Sequence, residues 1–570
     1  MFFISFFQAE YGTFKRALAS WTKPDNSSYS LVEERDYQRS SLDIEINFEY
    51  LRTGQDVYQC SAVNQVIIWN GYNYTCKEKD IVTSNKMDAI QETSINLKNY
   101  FSKIVRVRKT ESFKFSDING TIFDDLLPKT GNMTSSNYIV LISRPFNSTQ
   151  KITSRNLYYN KYGRPIVSVI NIKAEYLSEF PQSEKSDSRS TFLLLFHEII
   201  HCLGYRAEEA NHWINKSTGK RYDPLPIYNY TSTLTTKNFV FQCTPLAIQV
   251  AKNRSVSSTW QGNELCLQLD EDELHLKGTI YALDVLANPT NERSFITDAS
   301  LAVIEDMGWY TVDFSYSECS TWSKSVLGNL NFDKLMNNTP SDFPSKLKFT
   351  ELDTIYPSFD YRGYLNSSYY ASNRINFTRD HKIDNYYYDN TTIIGKYKHY
   401  DYSPLLIPEF SCSPNWAIVT TYNNLTTVVE CAALYYNKTD VLISSYHEKI
   451  NVSCTKTYNF AEGNVVCPPL DLINRVVRCE NQRGTNYTHI PLLSDSKKHS
   501  WTLLILGICF AAFLILVFAA GAIWKYYNFV HNQPDPHDEF KKMNSIDSSQ
   551  IDHQGLQSDD DLEAVINPGP

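Results

Sequence analysis

The run TFLLLFHEIIHCLG, residues 191–204, governs how the rest of this chain is read. It is apolar nearly all round except at His197, Glu198 and His201, the pattern of a helix buried at the centre of a domain. Gly204 stands where such a helix can end in a left-handed residue. Two histidines at i and i+4 lie on one face about a turn apart, so both imidazoles can bind one zinc ion. Glu198 sits about 100° further round, where it can reach a water beside the metal without being a ligand. Two ordinary core histidines would be the plainer reading, but it leaves three buried polar groups costing several kcal/mol with nothing to offset them.

A catalytic zinc needs a third protein ligand and one open position. The compact pattern H-E-x-x-H-x-x-G-x-x-H is not completed here, because Gly204 fits it and Ala207 stands at its last position. From the residues alone Glu208, Glu209 and His212 remain candidates nearby, with His275 farther on. A closed structural site is disfavoured, since it takes four protein ligands, often Cys, and has no use for a base such as Glu198.

The 570 residues leave room for about three or four domains. Residues 10–40 are polar and without periodicity, and read as a linker or vestigial pro-segment. Leu42, Ile44, Ile46 and Phe48 alternate with Asp43, Glu45 and Asn47, which predicts a half-buried strand. Residues 87–104 read as a helix, and 138–142 and 166–172 as β-branched strands. A second helix is expected over 297–307, capped by Thr297 or Asp298 and closed by Gly308. Residues 321–500, rich in Tyr, Asn, Ser and Thr with cysteines at 412, 431, 454, 467 and 479, read as a β-rich module pinned by disulfides.

Several stretches of the chain resemble the leishmanolysins, a family of surface zinc metalloproteases. They are CKEKDIV from Cys76, VSVINIKAEYL, FHEIIHCLGY, ELHLKGTIYALDVLANP and LAVIEDMGWYTVDF, all within residues 41–320. The resemblance implies an α+β, metzincin-like protease domain over 41–320, with the active-site helix packed on a sheet. It also implies a separated third ligand, His275, 74 residues after His201. The family disulfide matches the spacing of Cys60 and Cys76, and Cys266 with Cys319 is a plausible second pair. Cys202, on the buried helix, is expected to be the unpaired thiol and to serve as packing. Two departures stand out. The family's Met-containing turn after the third His reads Asp284, Val285, Leu286, Ala287 here, so Leu286 or Ala287 takes the Met position. Residues 1–40 contain no Cys, so latency by a cysteine switch is not expected.

Residues 501–524, WTLLILGICFAAFLILVFAAGAIW, carry no charge and are long enough to cross about 30 Å of hydrocarbon as a helix. All sixteen N-x-[ST] sequons, Asn73 among them, and eleven of the twelve cysteines precede this span, which suits an oxidising, glycosylating compartment on the N-terminal side. The expected product is a single-pass protein of the cell-surface membrane bearing N-linked glycans. Residues 1–9 would be a short signal peptide, and 525–570 an acidic, disordered cytoplasmic tail. The formal net charge is −9, of which −6 falls after Trp524 (three Lys against seven Asp and two Glu), so the remainder is nearly balanced and nucleic acid is excluded as a partner. The expected activity is hydrolysis of extracellular proteins or peptides with one catalytic zinc and Glu198 as general base. The alternative is a weak or inactive homologue retained as an adhesion or receptor ectodomain.

Overall fold

A computed structural model describes residues 39–318 apart from short gaps, scattered stretches of 349–473, and positions 520, 521, 524 and 525. The chain forms two compact units, Met1–Tyr487 and Thr488–Pro570. The expected signal peptide, most of the 501–524 span and the acidic tail lie outside the described residues. Among those described, no helix is long and apolar enough to cross a membrane.

The larger unit is mixed α and β with many small sheets. Its central sheet has four strands: β1 (Ile44–Asn47), and, beyond the hairpin of β2 (Val66–Trp69) and β3 (Tyr72–Thr75), β4 (Asn137–Ile142), β5 (Ile152–Tyr159) and β6 (Pro165–Ile172). The order is β1-β4-β6-β5, parallel through β6, with β5 antiparallel at one edge. Strands β4 and β6 are buried along their whole length, which explains why NYIVLI and PIVSVINI are nearly continuous apolar runs. Ile139, Leu141, Ile170 and Ile172 face one core, and Tyr138, Val140, Ile142, Val167 and Val169 face another.

Helix α1 (Ser84–Ile104) starts three residues earlier than its apolar pattern suggests, because the Thr83 side chain accepts a hydrogen bond from the Lys86 amide. It packs against α2 (Ser190–Cys202), with the rings of Phe101 and Phe196 stacked at 4.7 Å and Tyr100 edge-on to Phe192 and Phe196. Helix α2 is buried at every position from Thr191 to Cys202, so its three polar residues lie in the interior. It ends at Gly204, whose φ of +109° and close approach to Trp309 exclude any side chain: an added Cβ would lie 2.7 Å from that ring.

After α2 the chain makes an excursion through a three-stranded sheet (Ile227–Thr231, Asn238–Gln242, Leu267–Leu269) and α3 (Pro245–Arg254), then returns to α4 (Asp298–Asp306). Thr297 caps α4, accepting from the Ala299 amide, and Asp306 caps α3, accepting from the Leu246 and Ala247 amides. Gly308 follows α4 at φ +85°, hard against the Ile214 carbonyl.

Cys60 pairs with Cys76 and Cys412 with Cys431, while Cys202 is a buried free thiol. The expected Cys266–Cys319 pair is corrected: Cys266 is bonded to Cys243. The strand register explains it, since Gln242 opposes Leu267 and so brings the residues just beyond them face to face. In the region 321–500, the regular structure among the described residues is mainly short antiparallel strands, including Trp416–Tyr422 paired with Thr426–Ala432. Phe359, Tyr400, Leu405 and Ile407 from this region pack with Ala282, Leu283 and Phe295.

Candidate metal centre

His197 projects from the middle of α2 and His201 from its last turn, and His275 arrives from a returning segment. That segment is held by backbone bonds from Asp270 to the His275 carbonyl (2.7 Å), from Lys277 to Gln268 (3.1 Å) and from Leu276 to Leu286 (3.0 Å). All three histidines are buried. The Nε2 atoms of His197 and His275 are 3.1 Å apart, as are those of His201 and His197, and the potential ligand atoms all lie within 4.8 Å of one another.

The opposite ring nitrogens define what this cluster can hold. Nδ1–H of His197 donates to the Val285 carbonyl at 2.6 Å, and Nδ1–H of His201 donates to the Tyr205 carbonyl at 2.7 Å. With their protons committed there, both Nε2 atoms present lone pairs to each other, an unfavourable contact that a shared cation relieves. Ligands about 2.0–2.1 Å from a tetrahedral zinc stand roughly 3.3–3.4 Å apart, near the separations seen here. Burial, and then the neighbouring His197 and His275, hold His201 well below the ordinary imidazole range, which keeps it in the neutral form a metal requires. The residues therefore fit one zinc ion.

The turn at 284–287, where Leu286 or Ala287 takes the place of the family's Met, is built around Asp284. Its buried carboxylate accepts from the Thr297 hydroxyl, from Ser300 at 2.8 and 2.9 Å, and from the Leu286 amide at 2.8 Å. Val285 then offers its carbonyl to His197, and Leu286 its carbonyl to the residue after His275. Two of the three histidines are thus oriented through the turn's backbone, while Leu286 and Ala287 supply buried apolar surface.

Glu198 is buried beside the cluster, and burial pushes its carboxyl above the ordinary range against the opposing effects of a Ser154 hydrogen bond and the charge of Arg206. Ser154 lies on the edge strand β5, and its hydroxyl accepts from Arg206 at 2.7 Å. Ser154 and Arg206 were not singled out from the sequence: a Ser in a strand and an Arg after a helix carry no local signal.

The other nearby candidates do not join the cluster. His212 is buried with its ring against Gly163, where an added Cβ would lie 3.2 Å from the ring's Cγ. Glu208 is exposed. Glu209 is buried under the end of α2, bonded by the Tyr159 hydroxyl and by Asn156, which also donates to the His201 carbonyl at 3.2 Å. Burial raises the Glu209 pKa to about 7, and that of Cys202 to about 12.

Against known proteins, the leishmanolysin family model matches residues 8–490, most of the chain. This chain belongs to the leishmanolysin family. It is 22% identical over 452 residues to leishmanolysin of Leishmania major, covering 75% of this chain and 70% of that protein. A leishmanolysin homolog of Crithidia fasciculata is 23% identical over 447 residues, 74% of this chain and 62% of the relative. A leishmanolysin of Leishmania amazonensis is 23% identical over 314 residues, 52% and 48% respectively. The family match extends on both sides of residues 41–320, where the resemblance was read. Leishmanolysin membership indicates a zinc-dependent metalloendopeptidase, and the buried His197, His201 and His275 are compatible with it.

Proposed function

We propose that this protein is a zinc-dependent endopeptidase in which His197, His201 and His275 hold one metal ion and Glu198 is the general base. The observation that carries this reading is the convergence of three buried imidazoles with two Nδ1 protons tied to backbone carbonyls. Zinc bound there would polarise a peptide carbonyl and make water acidic enough to lose a proton near neutral pH. Glu198 accepts that proton and returns it to the departing amine, a role favoured by a buried carboxyl whose proton affinity is raised. Ser154, braced by Arg206, holds the carboxylate in place during both transfers. A protein or peptide substrate lies extended along the edge strand β5, which packs against α2, its backbone supplying hydrogen bonds and side-chain pockets the selectivity.

In the same reading the protein is anchored at the cell surface by residues 501–524, with residues 1–500 outside and the acidic tail in the cytoplasm. The one-sided distribution of sequons and cysteines supports this arrangement. The absent Met in the 284–287 turn favours one other reading, a weakened or inactive homologue kept for adhesion. Casein hydrolysis by the purified protein and its Glu198→Gln variant, with zinc determined in both, separates the two. Cleavage by the parent alone, with zinc in both, supports the protease; zinc in both without cleavage by either supports the adhesion reading.

A further inference from the structure

The disulfide Cys60–Cys76 closes the hairpin of β2 and β3, whose two faces differ from what water alone would select. On the inner face Ile67 is buried, Trp69 lies 6.1 Å from the Phe123 ring and 5.1 Å from the buried Arg144 guanidinium, and the Tyr74 hydroxyl donates to Asp80 at 2.6 Å. The outer face carries Val66 and Ile68, 57% and 66% exposed, with Val57 and Val63 also exposed nearby in the chain. A solvated strand face is normally polar, and clustered aliphatic groups on it call for a cover.

The register names that cover. Ile68 is paired with Asn73 and Val66 with Thr75, and directly opposed residues of an antiparallel pair project to the same side. Asn73, Tyr74 and Thr75 form a sequon whose Asn and Thr are both exposed on that face while Tyr74 points inward. Other sequons in paired strands lack this arrangement: Asn132 faces Lys114 and Asn215 faces Lys220, while Asn229 faces Val240, which is already buried.

We infer that Asn73 carries an N-linked oligosaccharide whose first sugar rings lie over Ile68 and Val66, the C–H faces of the rings replacing a protein partner. The inference rests on the extracytoplasmic placement of residues 1–500 proposed above. In the transfer, Nδ2 of Asn73 forms a bond to C1 of the first N-acetylglucosamine of a lipid-pyrophosphate-linked oligosaccharide. The C1–O bond breaks, the lipid pyrophosphate leaves with the electron pair, and the amide proton is lost to solvent.

The test is full-length protein made in a eukaryotic secretory host, with enzymatic deglycosylation in heavy-oxygen water and mass spectrometry of each sequon. Asn73 should be occupied, and both Asn73→Gln and Thr75→Ala should lose one glycan step on gels and gain binding of an apolar fluorescent dye. Adding Val66→Thr and Ile68→Thr to either variant should abolish that gain. Sugar at other sequons with Asn73 bare overturns this inference alone, whereas no sugar at any sequon overturns the membrane topology as well. Occupancy at Asn73 with unchanged dye binding in both single variants overturns the covering role.

Discussion

On one side of α2 lies Glu198, beside three imidazoles; beneath the helix's C-terminal end lies Glu209, bonded by Tyr159 and Asn156. Both acids are buried, and burial raises the proton affinity of each. The partners differ. Tyr159 and Asn156 bind the Glu209 carboxylate, Ser168 donates to the Asn156 carbonyl at 2.8 Å, and Asn156 donates to the backbone of His201, so this acid is tied into the scaffold. Glu198 takes its side-chain hydrogen bond from Ser154 and faces the histidine cluster. Equal burial thus serves two ends: donors that converge on an acid make it structural, and a single brace leaves it able to exchange a proton.

The sharpest way to break this comparison is Glu198→Gln, which keeps shape and removes the proposed base. Proteolytic turnover should fall roughly 10²–10⁴-fold with zinc content unchanged; comparable loss from Glu209→Gln would erase the distinction. Next in size is Asp284→Ala, which removes the carboxylate that organises the turn behind His197 and His275. About 3 kcal/mol of stability should be lost and zinc affinity should drop, read by denaturant melts and chelator competition. If both stay unchanged, the turn is not oriented by Asp284.

Glu209 should announce itself through pH. Its ordinary value of 4.5 rises to about 7 in the folded protein, so protonation favours the native state. The stabilisation is complete below about 4.5 and is lost as pH rises through about 7, at most about 3 kcal/mol in all. Thermal melts across that window should slope downward with pH more steeply in the parent than in Glu209→Gln, and parallel slopes would refute the assignment. The smallest expected effect is Ser154→Ala, about tenfold in kcat with KM little changed, since one hydrogen bond to the base is removed and substrate contacts remain. A change confined to KM would place Ser154 in substrate binding instead.

How much of this was legible depended on how local each feature is. The ends of α2 and α4 could be read because Gly204, Thr297 and Gly308 act within a turn of their own positions. The pairing of Cys60 with Cys76 followed from a family spacing, but Cys266 was assigned to Cys319 because nothing local reveals that Gln242 opposes Leu267. Ser154 and Arg206 left no trace, since their meaning comes from meeting Glu198 across a strand edge and a helix end.

By itself the sequence determined the buried helix with two histidines and a glutamate on adjacent faces, because helical geometry converts an i, i+4 spacing into a shared direction without any other part of the chain. It also determined the apolar runs of β4 and β6, since strands covered on both sides have no polar face to show. Tertiary structure decided which of four candidate residues meets His197 and His201, and that a backbone turn fixed by Asp284 stands behind two of the three histidines. Those choices depend on a segment that leaves α2, builds a sheet of its own and returns 74 residues later, and contacts across such a distance are set by packing and strand register that no local pattern records.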